Sequence, residues 1–279
     1  MASFFMIFNC GKFQLDLATP RVMGIVNVTP DSFSDGGKFN STDKAIAHAI
    51  SLVEQGADIL DIGGESTRPG AVPVPLEEEL ARVIPVIEAL RNVGVPLSID
   101  TYKPEVMRAA IVAGIDIVND VCALQAPGAL DVVSDSQVGV CLMHMQGSPQ
   151  TMQNDPHYDD VVKEVGDFLS ARLQAAEQVG IARSRILLDP GFGFGKRTAH
   201  NLALLNGLAS IKSLGLPLLI GLSRKSVLGQ VVGSDVDERI HASIAASVIS
   251  VMKGASIVRV HDVKATVDAL KVVAAVMKH

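Results

Sequence analysis

The sequence has no long apolar run, no excess of basic charge and only three cysteines, and each shortage removes a class of function. No stretch approaches the roughly 18 consecutive apolar residues of a membrane-spanning helix, so no span is expected. Met1–Cys10 holds Phe4, Phe5, Met6, Ile7 and Phe8 but neither a basic flank nor a small-residue cleavage site, which makes a secretory leader unexpected. A formal net charge of −6 argues against nucleic-acid binding through a broad basic face, while leaving room for a small cationic pocket. Cys10, Cys122 and Cys141 have neither metal-ligand nor disulfide-framework spacing and read as the reduced thiols of a cytoplasmic protein.

Familiar motifs are missing too. His48, His144, His157, His200, His241 and His279 show no zinc-like spacing. Gly191-to-Lys196 imitates a phosphate cradle, but Gly191 and Gly195 are too close together and Arg197 follows Lys196 where Ser or Thr is required. No dinucleotide-binding glycine fingerprint is present.

What is there is rhythm. Nearly half of the 279 residues are apolar, enough for a sizeable core. The first residues read as a hairpin, Phe4–Phe8 and Phe13–Leu17 around Asn9–Lys12, within residues 1–18. Short β-branched runs then alternate with helical spacing: Val22–Val28, Ile59–Ile62, Pro96–Asp100, Ile117–Asp120, Val138–His144, Ile186–Asp189, Leu218–Leu222 and Ile257–Val260. Most are continuously apolar, as parallel strands covered by helices are. Between them, Ile46, Ala49, Ile50 and Val53 mark one helix face, with Ser41 or Thr42 as N-cap and Gly56 as terminator. Glu77–Glu79 open a second helix, which Pro85 should kink or break. The last helix places Val263, Val267, Leu270, Ala274 and Met277 on one face behind an Asp262 cap. Eight strand–helix units without a composition break predict a single domain over residues 1–279, an α/β (β/α)8 TIM barrel with a short N-terminal β-hairpin; a doubly wound sheet is the rival.

In such a barrel the active site lies at the C-terminal strand ends. Here those ends deliver Asn27 and the loop Thr29–Gly37; Asp61 and Gly63–Gly70; Asp100; Asn119-Asp120; Met143-His144; Asp189 and Pro190–Lys196; Ser223-Arg224-Lys225; and Arg259 with His261. One polar strand end can be a helix cap, but eight together above an apolar interior are costly to desolvate unless a ligand uses them. Asp100, Asn119, Asp189 and Lys225 suit a small polar heterocycle with a guanidine-like edge, such as a pterin. Arg68, Arg259 and His261, with Asn27, suggest a separate cluster for phosphate or pyrophosphate.

The chain from about Val22 to Val263 resembles the dihydropteroate synthase family. The likeness rests on Met23–Gly37, Gly63–Gly70, Ser98–Lys103, Asn119–Val121, Met143–Gly147, Leu188–Lys196, Gly221–Ser226 and Arg259–Val263. The resemblance implies an enzyme that joins 6-hydroxymethyl-7,8-dihydropterin pyrophosphate to p-aminobenzoate, giving 7,8-dihydropteroate and pyrophosphate. It implies pterin contacts from Asp100, Asn119, Met143, Asp189, Gly221 and Lys225, and pyrophosphate contacts from Asn27, Arg68, Arg259 and His261. Mg2+ would be held at Asn27 with the pyrophosphate. Phe33, Thr67, Pro69, Phe194, Ser223 and Lys225 would surround p-aminobenzoate, with Asp31 in the closing loop after the first strand. Sulfonamides are the implied inhibitors. A homodimer is expected from the likeness and from an apolar seventh barrel helix (Ile240, Ile244, Ala245, Val248, Ile249, Val251, Met252). A pterin-dependent methyltransferase, the nearest rival, has no use for the Arg259–His261 pair.

Overall fold

The structure is a computed structural model that describes residues 7–28 and 38–277, without the side chains of 38–41. Two short strands come first, β1 (Ile7–Cys10) and β2 (Phe13–Asp16), paired antiparallel with Cys10 opposite Phe13. The turn is therefore Gly11-Lys12 alone, because the first strand runs on past Phe8 to Cys10; Gly11 has φ +56°, which a two-residue hairpin turn demands. Residues 1–6 lie outside the described residues.

Eight parallel strands follow: β3 (Arg21–Asn27), β4 (Ile59–Gly63), β5 (Leu97–Asp100), β6 (Ile117–Asp120), β7 (Gly139–Met143), β8 (Ile186–Asp189), β9 (Leu219–Ile220) and β10 (Ile257–Val260). Each pairs with its sequence neighbour, β10 returns to β3, and a parallel bridge between Leu188 and Leu218 joins β8 to β9. The sheet therefore closes into the (β/α)8 barrel.

Side chains alternate along each strand, so the two faces separate cleanly. Outward residues such as Val26, Leu60, Ile99, Val118, Leu142 and Leu188 share one core with the helices. Inward, Met23, Ile59, Ile117, Cys141, Leu187, Leu219 and Ile257 pack on Phe8 and Cys10 of the hairpin, which stoppers the N-terminal end. A Cβ at Gly139 would lie 2.4 Å from the Phe8 ring, so the hairpin can enter only because that position is glycine. Two residues further along, five of the eight strands turn polar on the inward side, at Asp61, Asp100, Asn119, Asp189 and Arg259.

Helices follow the strands, among them α3 (Pro104–Ala113), α4 (Ala129–Ser134), α5 (Val161–Gln178), α6 (Thr198–Asn206), α7 (Leu208–Lys212) and α8 (Ser226–Val232), and the remaining four correct several expectations. α1 (Lys38–Glu54) begins before Ser41, so neither Ser41 nor Thr42 is its N-cap. Its buried stripe is Ala45, Ala49 and Leu52, with the expected Ile46 and Val53 partly buried against the same core, whereas Ile50 is exposed. The cause is Gly24 on β3, where Leu52 Cδ1 comes within 3.0 Å of the missing Cβ and seats the helix tightly. Gly56 terminates it as expected, at φ +100° with Ala57 N donating to Leu52 O. α2 (Leu76–Leu90) runs through Pro85 without a break, since the proline ring and Ala81, whose carbonyl loses its donor, are both exposed to water. In α10 (Val263–Val276) the buried stripe is Val263, Thr266, Leu270 and Val273, whereas Met277 is exposed. The Asp262 carboxylate does not cap α10; it receives both Nε and Nη2 of Arg224.

α9 (Ile240–Met252) also differs from an all-round apolar helix. Its barrel side is Ser243, Ala246, Ser247, Ser250 and Val251. The three serine hydroxyls donate to carbonyls four residues back (Arg239, Ser243 and Ala246) at 2.7–2.9 Å, so a polar stripe is buried without loss. The outer side carries Ala245, Ile249 and Met252.

Candidate active site

The polar layer above the stopper is one connected array. Arg259 on β10 reaches across the barrel, donating from Nε to Asp61 Oδ2 at 2.5 Å and from Nη2 to Asp100 Oδ2 at 2.7 Å. Asn119 Nδ2 also donates to Asp61 Oδ2, at 3.2 Å. Each strand supplies its residue by register: Asn27 lies opposite Gly63, Gly63 opposite Asp100, and Asp100 opposite Asn119. The Arg259 guanidinium, expected on the anion side, here lies among the acids expected to hold the heterocycle, so the two sets of residues touch.

Electrostatics follow from the crowding. Burial pushes the Asp100 carboxyl up to about 7; Arg259 pulls it down and Asp61 adds to the rise. Burial also depresses Arg259, but Asp61 and Asp100 outweigh it and hold the guanidinium above its usual range. Asp61 Oδ1, Asp100 Oδ1, Asn119 Oδ1 and Ser98 Oγ are buried without any hydrogen-bond partner. Buried orphans of this kind are rare and costly, and those of Asp61, Asp100 and Asn119, joined through Arg259 and Asn119 Nδ2, mark a place built for a polar guest.

Asp189 closes the layer on the far side. Its Oδ1 accepts from Gly191 N at 2.7 Å, and burial raises its pKa against the pull of Lys225. Lys225 follows β9; its ammonium donates to Phe192 O and lies 4.5 Å from the Phe194 ring centroid. Burial draws it down to about 8, with Asp189 opposing. Gly193 makes this possible, since a Cβ there would stand 3.2 Å from Lys225 Cδ. The loop is pinned from behind by Lys196, whose buried ammonium meets His144 Nδ1 at 2.9 Å, Gly191 O at 2.8 Å and Phe194 O at 3.0 Å. Gly221 is buried beside the Arg259 stem.

Met143 and Phe194 pack together with Val121 and Met152 as an apolar patch on the rim. Ser223 Oγ accepts from His261 N at 3.1 Å and lies 3.0 Å from His261 Nδ1. Burial, then the charges of Arg259 and Arg224, press His261 down to about 4, so its ring is neutral near pH 7. The charge of Arg68 also reaches His261, although Arg68 and Pro69 are exposed and Thr67 half-buried on the loop after β4. Asp31, Phe33 and the Gly36-Gly37 pair lie outside the described residues.

Two residues of the barrel interior, Asp61 and Ser98, have no role that the sequence alone assigns. Asp61 is fully buried and holds both Arg259 and Asn119. Ser98 lies two residues before Asp100 on the same inward face. The available signal was the period of two, which puts Ile59 and Asp61, or Ser98 and Asp100, in one phase.

The family model for pterin binding enzymes matches residues 23–261, which contain the whole array. The chain belongs to the dihydropteroate synthase family. The dihydropteroate synthase of Escherichia coli strain K12 is 53% identical over 265 residues, 95% of this chain and 94% of that one. A solved dihydropteroate synthase from Xanthomonas albilineans with 4-aminobenzoic acid is 56% identical, covers 98% of both chains and superposes with a TM-score of 0.93. One from Burkholderia cenocepacia complexed with 7,8-dihydropteroate is 54% identical, covers 98% of this chain and 96% of that one, and has a TM-score of 0.90. No helix among the described residues is long and apolar enough to cross a membrane.

Proposed function

We propose that this barrel is a transferase that condenses 6-hydroxymethyl-7,8-dihydropterin pyrophosphate with p-aminobenzoate, releasing 7,8-dihydropteroate and pyrophosphate. The orphaned oxygens of Asp61, Asp100 and Asn119 are the observation that carries the reading, because a pterin edge offers the donors they lack. Asp100, Asn119 and Asp189 would hold that edge, with Lys225 donating to a ring acceptor and Met143 and Gly221 shaping the floor. Arg259 would turn toward the pyrophosphate as the pterin replaces it at Asp100. Arg68 and neutral His261 complete the anion contacts. Thr67, Pro69, Phe194 and Ser223, with Phe33 and Asp31 from the first loop, would enclose p-aminobenzoate.

Mg2+ fits this arrangement in one way. Among the described residues no group of three or more His, Cys, Asp or Glu side chains could hold a metal. Asn27 Oδ1, however, shares a space with Asp100 Oδ2, each 3.9 Å from where a Gly63 Cβ would stand. Asn27 would supply one oxygen to Mg2+, with pyrophosphate oxygens and waters supplying the rest. When bound, the ion would neutralise the leaving group. Arg259 and Arg68 stabilise the same departing charge, and the buried carboxylates stabilise the cation that develops on the pterin methylene. The arylamine then attacks without a strong base, an SN1-like course.

The exposed apolar face of α9 supports a homodimer, the absence of a suitable membrane-crossing helix fits a cytoplasmic location, and sulfonamides should compete with p-aminobenzoate. The deciding experiment measures pyrophosphate release from the dihydropterin pyrophosphate with and without p-aminobenzoate and Mg2+. Release dependent on both, with dihydropteroate as product, is expected. Tight pterin binding without turnover would instead favour a methyltransferase or a binding-only barrel.

A further inference from the structure

Below the loop that carries Thr67 and Arg68 lies a buried polar network that the reaction itself does not use. Lys103, just past β5, donates at 2.5 Å to both Glu65 Oε2 and Glu79 Oε2, and at 2.7 Å to Val74 O. Glu65 also accepts from Tyr102 OH at 2.9 Å and from Val74 N at 3.2 Å. Glu79, on α2, is 1% exposed and takes the Thr101 hydroxyl at 2.7 Å. Arg82 donates to Gly64 O at 2.6 Å, and a Cβ at Gly64 would come within 2.7 Å of Val83. Burial opposes the Lys103 charge, yet its bonds to Glu65 and Glu79 prevail and raise its pKa.

The topology of these bonds is specific. Glu65 and Val74 are the two ends of the loop, and one ammonium and one carboxylate hold both. Residues 66–73 between them form an Ω-shaped excursion, with Gly70 N to Pro149 O at 3.1 Å as its tie to another loop. Thr101 and Lys103 belong to the segment leaving Asp100. We infer that Lys103 is a positioning residue: it joins the base of the Thr67–Arg68 loop to the end of β5, so that the loop's groups stand at a fixed distance from Asp100. Without its charge, the Glu65 and Glu79 carboxylates would face each other in a largely buried site, and Glu65, carried by the loop rather than by a helix, is the one whose displacement would move residues 66–73.

The inference rests on the reading of that loop as part of the p-aminobenzoate and pyrophosphate sites, and its test separates the two. Lys103→Met, Lys103→Arg and Glu65→Gln are compared with the unaltered protein by steady-state kinetics and by amide hydrogen exchange over 66–73. Glu65→Gln takes the charge from the loop's anchor but leaves Lys103 paired with Glu79, so it remains informative if Lys103→Met fails to fold. Expected are roughly tenfold or greater rises in KM for p-aminobenzoate in Lys103→Met and Glu65→Gln, little change in affinity for a pterin lacking pyrophosphate, and faster exchange over 66–73. Lys103→Arg should recover most of both. Unchanged exchange and KM in a folded Lys103→Met or Glu65→Gln would overturn the inference, as would equal losses at the pterin and p-aminobenzoate sites without rescue by arginine. If the unaltered enzyme turned over no substrate but exchange still rose, the clamp would stand and the functional reading would fall.

Discussion

Replacing Arg259 by methionine is the sharpest probe of the polar layer. The substitution keeps an unbranched stem but strands Asp61 and Asp100, which are 0% and 8% exposed, without their shared cation. Breaking a buried pair by removing one partner costs about 3–5 kcal/mol, and because Arg259 retains 20% exposure we take the lower figure, about 3 kcal/mol. At about 2–4 °C per kcal/mol for a chain of this size, Tm should fall by about 6–12 °C. The loss should depend on pH. A carboxyl raised in the folded state contributes stability that is present below its unfolded pKa and disappears as pH rises through its folded value, here from 3.8 to about 7. Without Arg259, which pulls Asp100 down, the folded value climbs further and the decline extends to higher pH. Thermal unfolding of both proteins from about pH 5 to pH 9 should therefore show the gap widening with pH, and Asp61→Asn in the variant should close part of it. A loss below about 1 kcal/mol, or one constant across that range, would refute the coupling of Arg259 to these acids.

Lys225 should impose an alkaline limb: its ammonium, drawn down to about 8, loses its proton as pH rises past that value, so kcat/KM for the pterin substrate should decline there. Lys225→Arg should move the limb well upward even if overall activity drops, and an unmoved limb would assign it to another group. Gly191→Ala should destabilise by at least about 3 kcal/mol in urea unfolding, because φ is +69° and the new Cβ would lie 1.8 Å from His144 O; a near-neutral result would mean that the loop can rebuild. Placing aspartate at both Ile249 and Met252 should yield monomers in sedimentation velocity with little loss of Tm, since both residues are exposed on the single chain.

The strands were the most legible part of this fold. β6, β8 and β10 fall on the residues expected, because short apolar runs with a polar residue at or near the C-terminal end suit strands of a helix-covered barrel. The inward polar residues were legible for the same reason. Less was visible wherever two distant segments decide a role together. Leu52 rather than Ile50 is buried because Gly24 lies across from it, and nothing within α1 says so. The serines of α9 resemble a surface until their hydroxyls are seen turned back on their own helix. Asp61 and Lys103 lie 198 and 38 residues from the partners that give them meaning, and spacing along a chain carries no trace of such closure.

The hairpin stopper has a kinetic consequence. With Phe8 and Cys10 packed into the N-terminal end, the barrel is a flask with one neck rather than a pipe. Whatever fills its polar floor must pass the place where the second guest will rest, and cannot leave beneath it. If the two guests rest as proposed, arrival and departure would form a stack, first in and last out, and a blocked neck would trap the deeper occupant instead of competing with it.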